Sequence, residues 1–82
     1  MEQIIRDLSQ LGHAVRRRRE ALGLTQADLA RAAGLRQPTV SDVEQGVGAP
    51  RFGTVAALLA ALDLELALRP RTRREDDLGA MF

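Results

Sequence analysis

Arg36, Gln37, Ser41 and Asp42 are the side chains of this chain best equipped for selective hydrogen bonding, and they fall in one short stretch. Glutamine donates and accepts at once, so Gln37 can bond bidentately to adenine N6 and N7. Arg36 can fork onto guanine O6 and N7, each good pair giving about 1–3 kcal/mol of discrimination between bases. Pro38 has no polar side-chain atom and offers at most an apolar contact to a thymine methyl. Ser41 donates or accepts, and Asp42 can accept from cytosine N4. Asp42 also repels phosphate, so a solvated surface charge is an equal reading of it, and the same holds for Gln45. Two further groups suit phosphate oxygens: Gln26 with the free N–H groups of a helix start, and the Thr39 hydroxyl.

Catalysis finds little to work with. The one histidine, His13, sits beside Gly12 with no thiol anywhere in the chain, which suits a surface or interface residue better than a base or a metal ligand. Ser9 or Ser41 with His13 and an aspartate would match a triad only in composition, because no nucleophile elbow or oxyanion loop accompanies them. The glycines fall at helix stops and turns, not at phosphate-loop spacing. The chain is read as a binding protein and not an enzyme, with no cofactor and no metal.

Helices must position these groups. Asp7-Leu8-Ser9-Gln10 has the form of a capping box, and Leu8, Leu11, Val15 and Leu22 recur on one face of a first helix until Gly23. Thr25 caps a second helix that runs to Ala33, with Leu29, Ala30 and Ala33 inward, Asp28 near its positive end and Gly34 as its stop. After the break Gly34-Leu35-Arg36, a third runs from Gln37 to Gln45 with Pro38 in its first turn, where a missing N–H costs nothing. Val40 and Val43 point into the core, so Gln37, Pro38, Ser41, Asp42 and Gln45 share the other face. Two short amphipathic helices around a tight break form a helix-turn-helix pattern, which implies DNA.

Beyond the loop from Gly46 to Pro50, a strongly apolar fourth helix starts at Gly53 or Thr54 and carries Val55, Leu58, Leu59 and Leu62. Leu64, Leu66 and Leu68 then alternate with Glu65, Ala67 and Arg69 before Pro70, as in a short half-buried strand. A lone strand leaves its backbone unpaired. The expectation is a two-stranded sheet with the same segment of a second copy across a two-fold axis; the alternative is that residues 63–69 extend the fourth helix.

Length and composition agree with an all-α bundle of four to five helices. The chain has 82 residues, 45% of them apolar and mostly Leu, Ala and Val, with Phe52 and Phe82 its only aromatics. A core this small favours dimerisation, since a domain of such size buries only about 60% of its unfolded surface. Every basic residue is arginine. Between Leu11 and Gly53 seven arginines stand against four acids, a local excess of +3, while Glu75, Asp76 and Asp77 offset an Arg-rich tail. Consecutive Arg16, Arg17, Arg18 and Arg19 fan around their helix at about 100° each, so at most two can meet DNA. The absence of cysteine, of an apolar leader and of any bilayer-length apolar run points to a cytoplasmic, nucleoid-associated protein with no membrane contact. Residues 1–69 form the domain, with the strand at about 64–69, and residues 70–82 a flexible charged tail. Met81 and Phe82 are either an apolar hook for a partner or a frayed end.

The stretch from Val15 to Leu62, including LGLTQADLARAAGLRQPTVSDVEQG and the later APRF, resembles the Cro/CI phage-repressor (XRE-like) helix-turn-helix family. The resemblance implies a lambda-repressor-like fold in which Gln26 and Gln37, eleven residues apart, pair one against a phosphate and the other against a base. It also implies an ion pair between Arg19 and Glu44, and an Arg51 that reaches the backbone or the adjacent minor groove. The remaining members of the arginine run are then solvated or at an interface. A narrower similarity, in QLGHAVRRRREALGLTQ, RQPTVS and LLAALDLELAL, is to the HipB-type antitoxins. Arg36 stands where a small N-cap is common in that group, Pro38 is unusual in its place, and the chain ends in Phe82 where Trp is expected.

That likeness implies a homodimeric repressor of its own operon, bound to palindromic double-stranded operator DNA and to a HipA-type serine/threonine kinase toxin. The alternatives are a stand-alone XRE-family regulator without a toxin partner, or a protein-interaction adaptor that has lost DNA binding.

Overall fold

The computed structural model describes residues 2–71. They form four helices: α1 (Leu8–Ala21), α2 (Gln26–Ala33), α3 (Gln37–Gln45) and α4 (Phe52–Ala61). Each helix boundary has a local cause. The Asp7 carboxylate accepts the Gln10 N–H at 2.8 Å and so caps α1, although the Gln10 side chain reaches back to the Arg6 N–H and not to that of Asp7. At α2 the box is reciprocal: Thr25 Oγ1 accepts from the Asp28 N–H at 3.0 Å, and Asp28 Oδ2 accepts from the Thr25 N–H at 2.9 Å. Gly34 ends α2 in the left-handed region at φ 69°, which lets the Leu35 N–H bond back to the Ala30 carbonyl at 2.8 Å and tucks Leu35 against the core. Pro38 lies in the first turn of α3, whose cap residue Arg36 uses no side-chain bond.

The core consists of Val15, Leu29, Ala30, Val40, Val43, Leu58 and Leu62, with Leu11, Leu24, Ala33, Leu35, Ala61 and Leu64 packed around it. Leu8 and Leu22, expected on the inward face of the first helix, are exposed. They stand at its two ends, Leu8 as first residue and Leu22 as cap, outside the buried stretch from Leu11 to Arg19. The fourth helix starts at Phe52, a residue or two earlier than expected, and leaves the Phe52 ring 72% exposed.

Where α1 crosses α3 there is room only for a hydrogen. A Cβ built on Gly12 would lie 2.4 Å from the Val43 carbonyl oxygen and 2.5 Å from that of Glu44, both backbone atoms. Glycine at this point lets the two backbones touch, and so sets the depth at which α3 sits against the domain.

The alternative that residues 63–69 continue the fourth helix does not hold. Leu62 caps α4, Asp63 turns into the left-handed region at φ 57°, and the Leu64 N–H closes the turn on the Leu59 carbonyl at 2.8 Å. Among the described residues there is no strand, and a single copy offers residues 64–69 no ladder to join. Leu64 is half-buried against the core, while Leu66 is exposed and Leu68 is 93% exposed. Arg69 pairs with Glu2, joining the two ends of the described chain. The Met81–Phe82 hook and all but the first two residues of the charged tail lie outside the described residues.

Candidate nucleic-acid interface

The periodicity of α3 separates two faces. Val40 and Val43 are buried, and on the other side Arg36, Gln37, Pro38, Asp42 and Gln45 are exposed, with Ser41 and Thr39 half-buried between. Gln45 Nε2 donates to Ser41 Oγ at 3.1 Å, one turn apart, so the Ser41 hydroxyl already accepts one bond and keeps its own hydrogen for donation. Arg51 is exposed at the cap position of α4. Neither Arg36 nor Arg51 has an acidic partner among the described residues, so both guanidinium groups face solvent.

Beneath this face lies an ion pair. Arg19 Nε and Nη2 donate to Glu44 Oε2 and Oε1 at 2.7 and 3.0 Å, a bidentate fork, and Arg19 Nη1 donates to the Leu24 carbonyl at 2.8 Å. The side chains are 11% and 3% exposed. The bond to Glu44 holds the Arg19 guanidinium above its ordinary pKa against the opposing effect of burial, with the Glu44 and Glu20 charges assisting. Gln26 joins the pair: its Nε2 donates to Glu44 Oε1 at 3.1 Å. The structure thus brings Arg19, Glu44 and Gln26 into one cluster; the pairing of Gln26 with Gln37 that the resemblance implied is not formed, since the Gln26 amide turns to Glu44 and Gln37 makes no side-chain hydrogen bond among the described residues.

The arginine run divides differently from expectation. Arg18, grouped with the solvated or interface arginines, turns inward: its Nε donates to the Leu62 carbonyl at 3.0 Å and ties α1 to the C-terminal cap of α4. The reason is positional, since residue 18 follows Leu11 and Val15 on the core-facing stripe. Arg16 pairs with Glu20 at 3.6 Å on the surface, and Arg17 lines a shallow depression with His13, Gln3, Ile4 and Gln10. Arg31 bonds Asp28 Oδ1 at 2.8 Å. The Asp28 carboxyl is held below the usual range chiefly by the Thr25 backbone N–H, then by the Thr25 side chain, with Arg31 adding to both.

Gly12 and Arg18 are the structural residues that the sequence reading passed over. Both left a signal. A glycine inside an amphipathic helix, far from either end, carries a propensity penalty that asks for a packing reason. The stripe Leu11, Val15, Leu22 has its gap at Arg18. Among the described residues no group of three or more His, Asp or Glu side chains could hold a metal ion.

Comparison with known proteins agrees with this geometry. A helix-turn-helix family model, HTH_3, matches residues 15–68. The chain is 37% identical over 57 residues to the HTH-type transcriptional regulator y4dL of Sinorhizobium fredii (strain NBRC 101917 / NGR234), a match covering 70% of this chain and 29% of that protein. The chain therefore spans less than a third of that relative's length. Among solved structures it is similar to a chain of a HipA-HipB-O2-O3 complex, with a TM-score of 0.79 at 30% identity, covering 87% of this chain and 100% of that one. It is equally similar to a chain of a HipB-O4 20mer complex, with a TM-score of 0.80 at 30% identity, covering 87% and 100%. The chain belongs to the XRE-like helix-turn-helix family, a class of DNA-binding transcriptional regulators, and its fold is that of HipB.

Proposed function

We propose that the protein is a dimeric, sequence-specific repressor and the antitoxin of a HipBA-like operon, acting in the cytoplasm at the nucleoid. The observation that carries this reading is the two-sided α3: a polar edge of Arg36, Gln37, Ser41 and Asp42 faces outward, while Val40 and Val43 fix the helix to the core. A major groove about 12 Å wide accepts one helix presented this way.

Arg36 and Gln37 read base edges, Ser41 donates to a base acceptor, and Pro38 and Asp42 border the contact. Gln26, Thr39 and Arg51 hold the DNA backbone or the adjacent minor groove. The Arg19–Glu44 pair fixes the domain beneath them. Leu66 and Leu68, exposed in one copy, support a dimer in which residues 64–69 pair across a two-fold axis. Such a dimer places two α3 helices in successive major grooves, about 34–36 Å apart, on a palindromic operator. A HipA-type kinase is the proposed protein partner, on the strength of the fold shared with HipB in its complex with HipA. A stand-alone regulator is the second reading, favoured by the relative named only as a transcriptional regulator.

Titration of a duplex selected in vitro from a random pool, at several salt concentrations, tests the DNA reading: affinity falls steeply with salt if several phosphates are contacted. A flat salt response would identify an adaptor instead. The reading frame next to this gene separates antitoxin from lone regulator: the former requires a HipA-type kinase there that forms a saturable complex with this chain in isothermal titration, and a neighbour of another kind favours the latter.

A further inference from the structure

The buried Glu44 carboxylate accepts three hydrogen bonds, two from Arg19 and one from Gln26. Arg19 forks onto both carboxylate oxygens, and the Gln26 amide takes the third of the roughly four acceptor positions they offer. The consequence of that third bond falls on Gln26. A primary amide carries two hydrogens on its nitrogen; with one engaged by Glu44 Oε1, the other is directed away from the pair by the planar geometry of the group. Gln26 occupies the first position of α2, half-buried, where a freely rotating side chain would otherwise sample many rotamers. Glu44 cannot follow such motion, because it is 3% exposed and clamped.

We infer that Glu44 is a positioning residue for DNA binding: clamped by Arg19, it orients the Gln26 amide so that its second N–H is held ready for a phosphate oxygen. The inference rests on the reading that the start of α2 meets the DNA backbone. Holding the amide before DNA arrives removes an ordering cost from the binding step. The buried pair then joins the interior of the domain to its DNA-facing edge through two links, the Arg19–Glu44 fork and the bond from Gln26 to Glu44.

The test uses Gln26→Met, Glu44→Gln and the double variant of the full chain, with anisotropy on a labelled duplex selected against the parent. Gln26→Met should fold, melting somewhat below the parent because the buried Glu44 loses one donor, and should bind about tenfold to a hundredfold more weakly, the loss of one hydrogen bond to a charged phosphate oxygen. The slope of affinity against salt should not change, because the amide carries no charge. Folded Glu44→Gln should weaken binding by a similar factor, and adding it to Gln26→Met should weaken it no further. Electrostatics alone predicts the opposite sign, since removing a negative charge near DNA tightens binding. Tighter or unchanged binding by folded Glu44→Gln, or fully additive losses, would overturn the inference.

If Glu44→Gln fails to fold, 15N relaxation of the Gln26 side-chain amide in the parent decides. An order parameter near the rigid value of about 0.85 supports the clamp, and one below about 0.6, like that of a free surface side chain, overturns it. Failure of the parent itself to bind any duplex would instead remove the DNA reading, an outcome seen without any variant.

Discussion

Substituting Gly12 by alanine would place a methyl group 2.4 Å from the Val43 carbonyl oxygen and 2.5 Å from that of Glu44. Ordinary contact begins near 3.4 Å, so α1 and α3 would have to part by about 1 Å where they cross. Neither carbonyl can rotate away without disturbing the backbone of α3, so relief must come from moving the helix. Forced overpacking of this kind costs about 1–3 kcal/mol, and the rigid backbone on the receiving side argues for the upper end. Helix propensity opposes it, since alanine is better than glycine in a helix interior by about 1 kcal/mol. The net expectation for Gly12→Ala is a loss of about 2 kcal/mol. Gly53→Ala is the internal control, because Gly53 also lies within a helix and a Cβ there meets nothing within 4 Å. Lying in the first turn, it should gain at most about 0.5–1 kcal/mol, the mid-helix value. Melting at fixed protein concentration checks both, as 1 kcal/mol moves Tm by about 4–8 °C in a domain of this size. Gly12→Ala should therefore melt about 8–16 °C below the parent and Gly53→Ala slightly above it. If Gly12→Ala melts at or above the parent, the close approach of α1 to α3 is wrong.

Arg19→Ala strands the Glu44 carboxylate and should cost about 3–5 kcal/mol, a large part of a total of about 4–12 kcal/mol for a chain of this length; parent-like urea unfolding would refute the pair. Arg18→Met keeps the aliphatic stem but loses the bond to the Leu62 carbonyl, so denaturant titration should show about 1 kcal/mol less stability and not a parent curve. Asp28→Asn tests the cap by its pH dependence. The folded Asp28 pKa lies below the ordinary value, so the charge stabilises above pH about 4 and the benefit is lost as pH falls through the folded value. The deficit of Asp28→Asn relative to the parent should be present at pH 7 and shrink at strongly acidic pH; a deficit that grows on acidification would contradict the sign.

The helix-turn-helix core was legible because its signals are local. Thr25 with Asp28 starts α2, Gly34 stops it, and the spacing of Val40 and Val43 assigns the two faces of α3. What stayed hidden depends on distance between elements. The run Arg16 to Arg19 has one chemistry and four directions, and only packing against Glu44 and Leu62 decides that two of them turn inward. Leu8 and Leu22 obey the periodicity of α1 but stand at its ends and stay exposed. Gln26 was read as facing outward from its place at a helix start, while its bond to Glu44 depends on how α2 and α3 lie together. The alternation of Leu64, Leu66 and Leu68 reads as a strand, but the described residues hold none: α4 ends at the Leu62 cap and the left-handed Asp63, and a strand beyond them needs a partner that a single copy does not supply.

The outward edge of α3 as a reader of base pairs is tested most directly by selecting duplexes from a random pool with the parent and with Gln37→Ala. Gln37 is exposed and makes no side-chain hydrogen bond within the described residues, so the variant should melt like the parent. The parent should select two symmetric half-sites, and Gln37→Ala should lose its preference at one base pair in each half. An unchanged consensus, or selection of no sequence at all by the parent, would contradict it.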